Sequence, residues 1–387
     1  MKGDITFFGT SNARRPHRPV GIYTEDRFQH LYVIGKTGTG KTTLLENFLR
    51  QDISAGRGII LLDPDGDLAE RVTSGMNESS RQRLTYLHLG KPGRYGYNPL
   101  KPVAPQLIPL AASGILDTFR HHFGEKAWGH RMEHILRCCL YALLEYGKAT
   151  LPDILRLLDD KDYRHEVLSH VENTQVLYFF REEYDKLLPR TRQEAIAPIQ
   201  SKVGAYLADP HLYKTLVDYG EEISLRRIMD AREMLIVNLC RGKSGSDSAH
   251  LLGSLLVTTI TLAALSRTSL PETSRVPCFL YLDEFEHFLT GSSAGMLSEV
   301  RKMKLSVMLA HQYLAQLPDS LRSAVLGNVG TIISFRVGAE DAPLLAREFA
   351  PVFTATDFMH LPNHEMYVKL LIKGEVSRGF SVKGLRL

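Results

Sequence analysis

The stretch Gly35–Thr43, which reads GKTGTGKTT, decides the fold of this chain. It follows a short apolar run, Leu31–Ile34, and it opens a segment, Leu44–Leu49, whose apolar residues recur with helical spacing. A strand, then G-x-x-x-x-G-K-[ST], then a helix is the context of a phosphate-binding loop. A dinucleotide-binding loop is excluded, because G-x-G-x-x-G from Gly38 would need glycine at Thr43. The sequence therefore predicts binding of a nucleoside triphosphate, and a chance Gly-rich turn is the weaker alternative.

Within this loop, the residue types suggest separate roles. Lys41 is predicted to reach the β- and γ-phosphates, and the Thr42 hydroxyl is predicted to be a ligand of Mg²⁺. Backbone N–H groups of the loop, together with the positive end of the following helix, favour an anion in its concavity. We expect the nucleotide to contact the whole loop: Gly35, Lys36, Thr37, Gly38, Thr39, Gly40, Lys41, Thr42 and Thr43.

The composition is that of an ordinary globular protein. The chain has 387 residues, 44% hydrophobic and 23% charged, and its 47 basic and 43 acidic residues leave a net charge of only +4. Its four cysteines, of which Cys138 and Cys139 are adjacent, form neither a disulfide framework nor a zinc pattern. The apolar stretch Leu251–Leu265 is expected to be too short to span a bilayer. We therefore expect a cytoplasmic protein whose membrane link, if any, comes from a partner.

The order of elements predicts an α/β fold with a parallel sheet that is interrupted and then completed. Gly58–Leu62 reads as a strand buried on both faces. The segment Gly90–Pro109 holds five prolines and three glycines, which indicates a domain boundary. Helical periodicity fills the chain from there until strand texture returns at Met234–Leu239. The predicted organisation is a first α/β part over 1–105, an all-helical insertion over 106–229, and a second α/β part over 230–387.

A pair of acids follows a second apolar strand, Cys278–Leu282. Such a pair is typical of a nucleotide-hydrolysing site, in which Asp283 is predicted to lie in the shell of Mg²⁺ and Glu284 is predicted to polarise the attacking water. The alternative is that Asp283 only caps a helix over Glu284–Phe288. A further acidic turn, Asp63–Leu68, is equally compatible with ligand binding and with capping the next helix.

Two polar residues, His311 and Gln312, follow the next predicted strand, Leu305–Ala310. At the tip of a strand beside the Asp-Glu strand, Gln312 is placed to sense the γ-phosphate or to position the water. The alternative is that Gln312 caps a helix over Tyr313–Leu317.

These motifs together resemble the HerA/FtsK superfamily of DNA-pumping ATPases, and most closely the type IV secretion coupling proteins of conjugation with their soluble relatives. The resemblance implies a RecA-like P-loop NTPase core, ATP and Mg²⁺ as cofactors, a ring of six subunits, and ATP-driven movement of DNA. It also implies that the helical insertion recognises the transfer substrate, such as a relaxase or another secretion-system partner. The segments that carry it are GKTGTGKTT, DPDGDL, YNPL (Tyr97–Leu100), FLYLDEFEHF (Phe279–Phe288), EVRKMKLSVMLAHQYLAQL (Glu299–Leu317) and GNVGTIISFRVG (Gly327–Gly338).

The same resemblance assigns two side chains. Arg301 matches the arginine finger that reaches the nucleotide of a neighbouring subunit, and Gln312 matches the polar sensor. Arg301 could instead make an ordinary solvated ion pair, and its rivals as the finger are Arg322, Arg336 and Arg378. Membrane-anchored coupling proteins carry transmembrane helices before the phosphate loop, and this sequence has none there, so the motor role is better supported than the secretion role.

The basic segment Arg241–Ser246 is the candidate for DNA contact. As a flexible loop after a strand, it would let Arg241 and Lys243 track phosphates in a pore, or it would simply connect two elements. The expected function is therefore a hexameric, DNA-translocating ATPase. The alternative is a nucleotide-gated docking adaptor that binds a relaxase or other protein cargo and pumps no DNA.

Overall fold

A large sheet with parallel central strands organises the chain. The computed structural model describes residues 4–12, 18–91, 93–291, 295 and 297–385. The strands are β1 (Ile5–Ser11), β2 (Pro19–Tyr23), β3 (Leu31–Ile34), β4 (Gly58–Asp63), β5 (Leu84–His88), β6 (Tyr95–Gly96), β7 (Glu221–Glu222), β8 (Met234–Asn238), β9 (Cys278–Leu282), β10 (Leu305–His311), β11 (Thr331–Ser334), β12 (Glu365–Lys369), β13 (Leu371–Ile372), β14 (Glu375–Val376) and β15 (Phe380–Gly384).

Helices connect these strands. The α-helices up to Leu265 are α1 (Lys41–Ser54), α2 (Asp67–Ser74), α3 (Glu78–Arg81), α4 (Ile108–Phe123), α5 (His130–Tyr146), α6 (Asp153–Asp159), α7 (Lys161–Leu168), α8 (Thr174–Tyr178), α9 (Pro189–Leu207), α10 (Pro210–Leu216), α11 (Leu225–Asp230), α12 (Arg241–Ser244) and α13 (Ser246–Leu265). Further short helices in the described residues after Leu265 include Leu297–Val300, Asp319–Asn328, Ala342–Glu348 and Ala355–Met359. A π-helical turn covers Phe179–Tyr184, and 3₁₀ turns cover Asp26–Gln29, Pro105–Leu107, Glu125–Ala127, Ser266–Ser269, Glu272–Ser274, Phe285–His287, Arg301–Met303 and Leu314–Gln316.

Within the described ranges, the main sheet has eleven strands in the order β2-β1-β15-β12-β11-β3-β10-β9-β4-β8-β5. Strands β11, β3, β10, β9, β4 and β8 are parallel to one another, whereas β12, β15, β1 and β2 add an antiparallel flank next to β11. The parallel strands are buried along their whole length, as expected where helices cover both faces. The predicted α/β class with a mostly parallel sheet is confirmed.

Two compact units divide the chain, and their limits differ from the predicted ones. The first unit is Met1–Tyr86, Leu225–Asn238 and Arg267–Leu387, and the second is Leu87–Ser224 with Leu239–Ser266. The prediction of an insertion over 106–229 placed the boundary inside a Pro/Gly-rich segment that belongs to the second unit. It also left out α13, whose apolar residues pack against α4 inside that unit. Nor is the unit purely helical, because β6 and β7 pair within it.

Helix α13 also corrects the expectation that no apolar stretch is long enough to cross a membrane. The segment Ser246–Ser269 passes that test by length and composition, and it is the one such helix found in the described ranges. In the structure, 83% of its most apolar window is buried. The core helices of soluble proteins show the same combination of length, composition and burial.

A buried ion pair holds the helix of the phosphate loop against the sheet. The Arg27 guanidinium donates to both carboxylate oxygens of Asp52 on α1, at 2.7 and 2.8 Å, and to the Tyr281 hydroxyl on β9 at 2.8 Å. All three side chains are almost completely inaccessible to solvent. Burial favours the neutral carboxyl, but the charges of Arg27 and Arg57, together with the hydrogen bonds from Arg27 and Tyr281, outweigh it and hold the pKa of Asp52 below its ordinary value.

Replacing Asp52 should therefore destabilise the first unit. Asp52→Asn leaves Arg27 buried without its counter-charge, and we expect the free energy of unfolding to fall by about 3–5 kcal/mol. The matched control is Asp319→Asn, which removes an exposed pair with Arg322 and should change stability by less than about 1 kcal/mol. Urea unfolding at pH 7 measures both, and equal effects would contradict a special role for the buried pair.

The same variant makes a prediction about pH. Because the pKa of Asp52 is lowered by folding, its stabilising effect is complete above the unfolded-state pKa and is lost as pH falls through the folded-state pKa. The stability difference between the wild type and Asp52→Asn should shrink below about pH 4. A difference that is constant down to the acid transition would mean that the charge of Asp52 is not what stabilises the fold.

Candidate functional site: the carboxyl edge of the parallel strands

The phosphate-loop sequence forms a turn between β3 and α1. Gly38 and Gly40 have φ of 75° and 120°, which side-chain-bearing residues rarely adopt. At Gly40, a Cβ would also come within 3.0 Å of His364 Nδ1 and 3.1 Å of Phe335. The His364 N–H donates to the Thr39 carbonyl at 2.8 Å, so the chain before β12 supports the loop from outside. Sequence reasoning gave no signal for His364.

Lys41 begins α1 with its amino group turned back over the loop. Its Nζ donates to the carbonyls of Gly35, at 2.5 Å, and Lys36, at 3.2 Å. Burial lowers the pKa of Lys41, and the nearby carboxylates of Asp283, Glu284 and Glu286 oppose that shift. A buried cation held by neutral carbonyls next to orphan helix N–H groups is suited to binding phosphate oxygens.

Strand register brings the other predicted residues to the same edge of the sheet. In the parallel pair β3–β10, His311 lies beside Ile34, so Gln312 follows one strand just as Gly35 follows the other. In the pair β9–β10, Leu282 lies beside Leu309, so Asp283 also emerges at this edge. Carboxyl ends of parallel strands are where ligands bind in open α/β sheets.

Asp283 is buried and does not cap a helix. Burial raises its pKa to about 7, the neighbouring Asp63 carboxylate adds to the rise, and Lys41 opposes it. The turn that follows, Phe285–His287, has Glu284 at its N-cap and no side-chain cap hydrogen bond. The capping alternative for Asp283 is therefore not what the structure contains.

Asp63, in contrast, is used by its own turn. Its carboxylate accepts the backbone N–H groups of Asp65, at 3.2 Å, and Ala69, at 2.8 Å. Of the two interpretations of the acidic turn, this geometry matches the structural one, in which Asp63 fixes the entry into α2. The carboxylate still adds negative charge next to Asp283.

Glu284 is joined to the phosphate loop by Gln312. The Gln312 Nε2 donates to Glu284 Oε1 at 2.6 Å, and its Oε1 accepts the Thr37 hydroxyl at 2.9 Å. Glu284 has φ of 47° and ψ of 51°, a left-handed conformation that strains a residue with a side chain. Gln312 thus connects two predicted parts of the site instead of capping the turn after it, whose N-cap is Tyr313 with no side-chain bond. The role of Thr37 in this bridge was not predicted.

A third acid, Glu286, was missed as a candidate although it stands in the same Asp-Glu segment. Burial raises its pKa to about 7, and its Oε2 atom has no hydrogen-bond partner among the described residues. A buried carboxyl with a raised pKa next to the Asp283–Glu284 pair is a functional candidate on physical grounds. The sequence signal was the second glutamate of D-E-F-E, two residues after Glu284.

Arg301 lies at the opposite edge of the sheet. It begins a 3₁₀ turn just before β10, and its Nη1 donates to Gln29 Oε1, which precedes β3, at 2.6 Å. Since β3 and β10 are parallel, both contacts lie at the amino ends of the strands, whereas the phosphate loop follows the carboxyl end. Arg301 is therefore not part of the site in its own chain.

The rival arginines are placed differently. Arg322 pairs with Asp319 at 2.7 Å. Arg336 follows β11 beside the loop, and its guanidinium donates to the Leu361 carbonyl and the Asn363 side chain. Arg378 is exposed in the segment between β14 and β15. Arg336 is the rival whose backbone contacts the loop directly, through the Lys36 N–H at 2.9 Å.

The segment predicted as a flexible basic loop is mostly helical. Arg241 and Lys243 lie on the short helix α12, which leads through Gly245 into α13, and both residues belong to the second unit. The Ser244 hydroxyl donates to the Leu239 carbonyl at 2.7 Å, which closes the turn. The expectation of a free loop is corrected: Lys243 is exposed on a helical turn.

The donor set at the carboxyl edge fits Mg²⁺. The Thr42 hydroxyl follows Lys41 in the first turn of α1, and Asp283 is a buried carboxylate whose raised pKa reflects nearby negative charge as well as burial. Hydroxyl and carboxylate oxygens are the ligands that Mg²⁺ prefers, usually with several waters and phosphate oxygens. A site of three or more His, Cys, Asp or Glu does not occur in the described part of the chain.

Comparison with known proteins gives one family match over part of the chain and several matches of fold. A family model described as the central domain of the helicase HerA matches residues 11–118. No curated protein matches the chain by sequence. The plasmid coupling protein TrwB, solved with the GTP analogue GDPNP, superposes with a TM-score of 0.70 at 16% identity, covering 99% of this chain and 95% of that one.

Two further structures give the same result. TrwB with ADP and Mg²⁺ has a TM-score of 0.68 at 16% identity and covers 99% of this chain and 95% of that one. VirB4 of Thermoanaerobacter pseudethanolicus has a TM-score of 0.68 at 13% identity and covers 100% and 96%. The resemblance inferred from the motifs is confirmed: residues 11–118 match the HerA central domain, and the whole chain has the RecA-like P-loop NTPase fold of the conjugative coupling protein TrwB and of VirB4.

Proposed function

We propose that this chain is an ATP-driven motor that moves DNA as a ring of six subunits. The observation that carries the proposal is the convergence of three parts at one sheet edge: the phosphate loop, the Asp283–Glu284 pair and Gln312. TrwB, which shares the fold, binds ATP and GTP analogues and ADP with Mg²⁺. We take ATP as the substrate and Mg²⁺ as the metal of this chain.

The proposed mechanism assigns one task to each side chain. Lys41 leaves the loop carbonyls and neutralises the phosphate oxygens, while Thr42 and Asp283 would hold the metal. When bound, Mg²⁺ neutralises charge on the phosphates. Glu284 accepts a proton from the attacking water. Gln312 contacts both Glu284 and Thr37, so a nucleotide bound in the loop affects the position of Glu284 through Gln312.

The position of Arg301 supports the proposed ring. Because this guanidinium lies at the amino edge of the sheet, away from the phosphate loop of its own chain, we propose that it stabilises a nucleotide bound to another subunit. Positive charge supplied by a neighbour makes hydrolysis depend on assembly. Loss of the γ-phosphate would then change how subunits pack and move the elements that grip DNA.

The DNA-moving part separates this proposal from the alternative. Arg241 and Lys243 in the second unit are proposed to contact the DNA backbone, and the same unit is proposed to receive a relaxase or another secretion-system partner of a cytoplasmic motor. A docking adaptor would bind such cargo without pumping DNA. The deciding experiment measures ATPase rate and particle mass with single-stranded DNA, double-stranded DNA and none. A motor is stimulated by DNA, and an adaptor is not.

Chemistry at Glu284 and binding at Lys41 should separate by mutation. Glu284→Gln keeps the shape and the contact with Gln312 but removes the base, so ATP should bind normally and turn over at least about 100-fold more slowly. Lys41→Ala should also weaken binding, because it removes a fixed charge from the phosphates. Fluorescent nucleotide titration and phosphate release measure the two effects. Hydrolysis by Glu284→Gln at near the wild-type rate would show that the catalytic carboxylate lies elsewhere.

Arg301→Ala should spare ATP binding and stop hydrolysis, because a finger stabilises charge that develops only in the transition state. Mixing it with Glu284→Gln should restore activity, since some interfaces then join an intact Glu284 to an intact Arg301. The measurement is ATPase rate across mixing ratios under subunit exchange, with Arg347→Ala, at an exposed arginine of the same unit, as the matched control. Demonstrated exchange without recovery would contradict action in trans.

A further inference from the structure

Two residues at the base of the phosphate-loop strand contact the segment that carries Arg301. Gln29 ends the turn Asp26–Gln29, and its side-chain oxygen accepts the Arg301 guanidinium at 2.6 Å. The Gln29 carbonyl accepts the Gly330 N–H at 2.5 Å. A Cβ at Gly330 would lie 2.7 Å from Gln29 Cβ, so only glycine lets the chain before β11 approach this closely. The backbone of Gln29 is thus held in place, and its side-chain oxygen is free to accept the hydrogen bond from Arg301.

His30 fixes the backbone on both sides of Arg301. Its Nδ1 accepts the Val307 N–H of β10 at 3.1 Å, so its Nε2 carries the proton and donates to the Leu297 carbonyl at 2.7 Å. Leu297 begins the helix that ends at Val300, immediately before Arg301. The imidazole is completely buried. One neutral ring therefore ties the chain before and after Arg301 to the start of β3.

The ring is held there at the expense of backbone strain. His30 has φ of 61° and ψ of 157°, a region that is essentially reserved for glycine. Such strain persists where the surrounding structure needs the side chain in place. Burial, together with the charge of Arg301, lowers the pKa of His30 to about 4, so the ring stays neutral and both of its hydrogen bonds persist at physiological pH. Four residues of β3 separate this ring from Gly35.

We propose that Gln29 and His30 are positioning residues that present Arg301 to the nucleotide of a neighbouring subunit. This inference rests on the proposed trans role of Arg301. A free arginine on the surface loses considerable rotamer entropy when it is ordered, and one held in advance loses less. His30 sets where the backbone of Arg301 stands, and Gln29 limits where the guanidinium points. Both residues act through Arg301 and touch no substrate.

The test uses two variants in the full chain. Gln29→Ala removes one exposed hydrogen bond, and His30→Gly removes the imidazole while relaxing the strained backbone. Each should leave the affinity for an ATP analogue unchanged and lower kcat by about 10- to 100-fold, as a misplaced catalytic group does. Gln82→Ala, an exposed glutamine on the same unit, is the matched control and should keep the wild-type rate. If His30→Gly does not fold, Gln29→Ala alone decides, and a loss of less than twofold for that variant overturns the proposal.

Mixing experiments then locate the defect on one side of the interface. A Gln29→Ala subunit has an intact site and a mispositioned Arg301, so mixing with Glu284→Gln should restore ATPase activity and mixing with Arg301→Ala should not. The reverse pattern would mean that Gln29 serves the site of its own subunit, and it would overturn the inference. If Arg301→Ala with Glu284→Gln recovers while the Gln29 pattern fails, only this inference falls. If that reference mixture does not recover, the trans mechanism of the proposed function falls with it.

Discussion

The hydrogen bonds of one buried guanidinium fix the two halves of the nucleotide site relative to each other. Arg27 joins Asp52, on the helix that begins with Lys41, to Tyr281, on the strand that delivers Asp283. The backbone carbonyl of Arg27 also accepts a hydrogen bond from the Ser306 hydroxyl of β10, at 2.7 Å. A charge inside a protein is tolerated only when it is paired. A shift of α1, β9 or β10 relative to the others would therefore leave the buried Arg27 in an unfavourable environment. The phosphate loop and the Asp-Glu strand are therefore held in a fixed position relative to each other.

The candidate site contains several acidic side chains. Asp283 and Glu286 both act on Lys41 and both feel the charge of Glu284, and burial raises the pKa of each to about 7. Such a cluster is costly without cations, because like charges in a low-dielectric region repel each other. Binding of a metal with the nucleotide relieves that repulsion, which gives the site a physical reason to take both together. The hydrogen bonds of Gln312 make the position of Glu284 sensitive to the same event.

The sequence predicted those parts whose signal is local. The loop Gly35–Thr43 and the strands before Asp283 and Gln312 were recognisable because this glycine spacing and such uninterrupted apolar runs rarely occur in a different structural context. The bridge from Thr37 to Gln312 could not be predicted, because it depends on the register of two strands separated by some 270 residues. Helix α13 was assigned to the wrong unit for a related reason: an apolar sequence predicts that a helix is buried, but it does not predict which elements the helix packs against.

The strand order has a consequence for synthesis of the chain. β3 lies between β10 and β11, which begin at Leu305 and Thr331, whereas its own last residue is Ile34. At roughly 5–20 residues per second, the completely apolar strand that leads into the phosphate loop waits about 15–60 s for its neighbours to be made. The second unit is complete at Ser266, before either neighbour exists. On the ribosome, the candidate catalytic edge is thus assembled after the second unit, and the nascent chain carries an apolar strand without its neighbours for most of its synthesis.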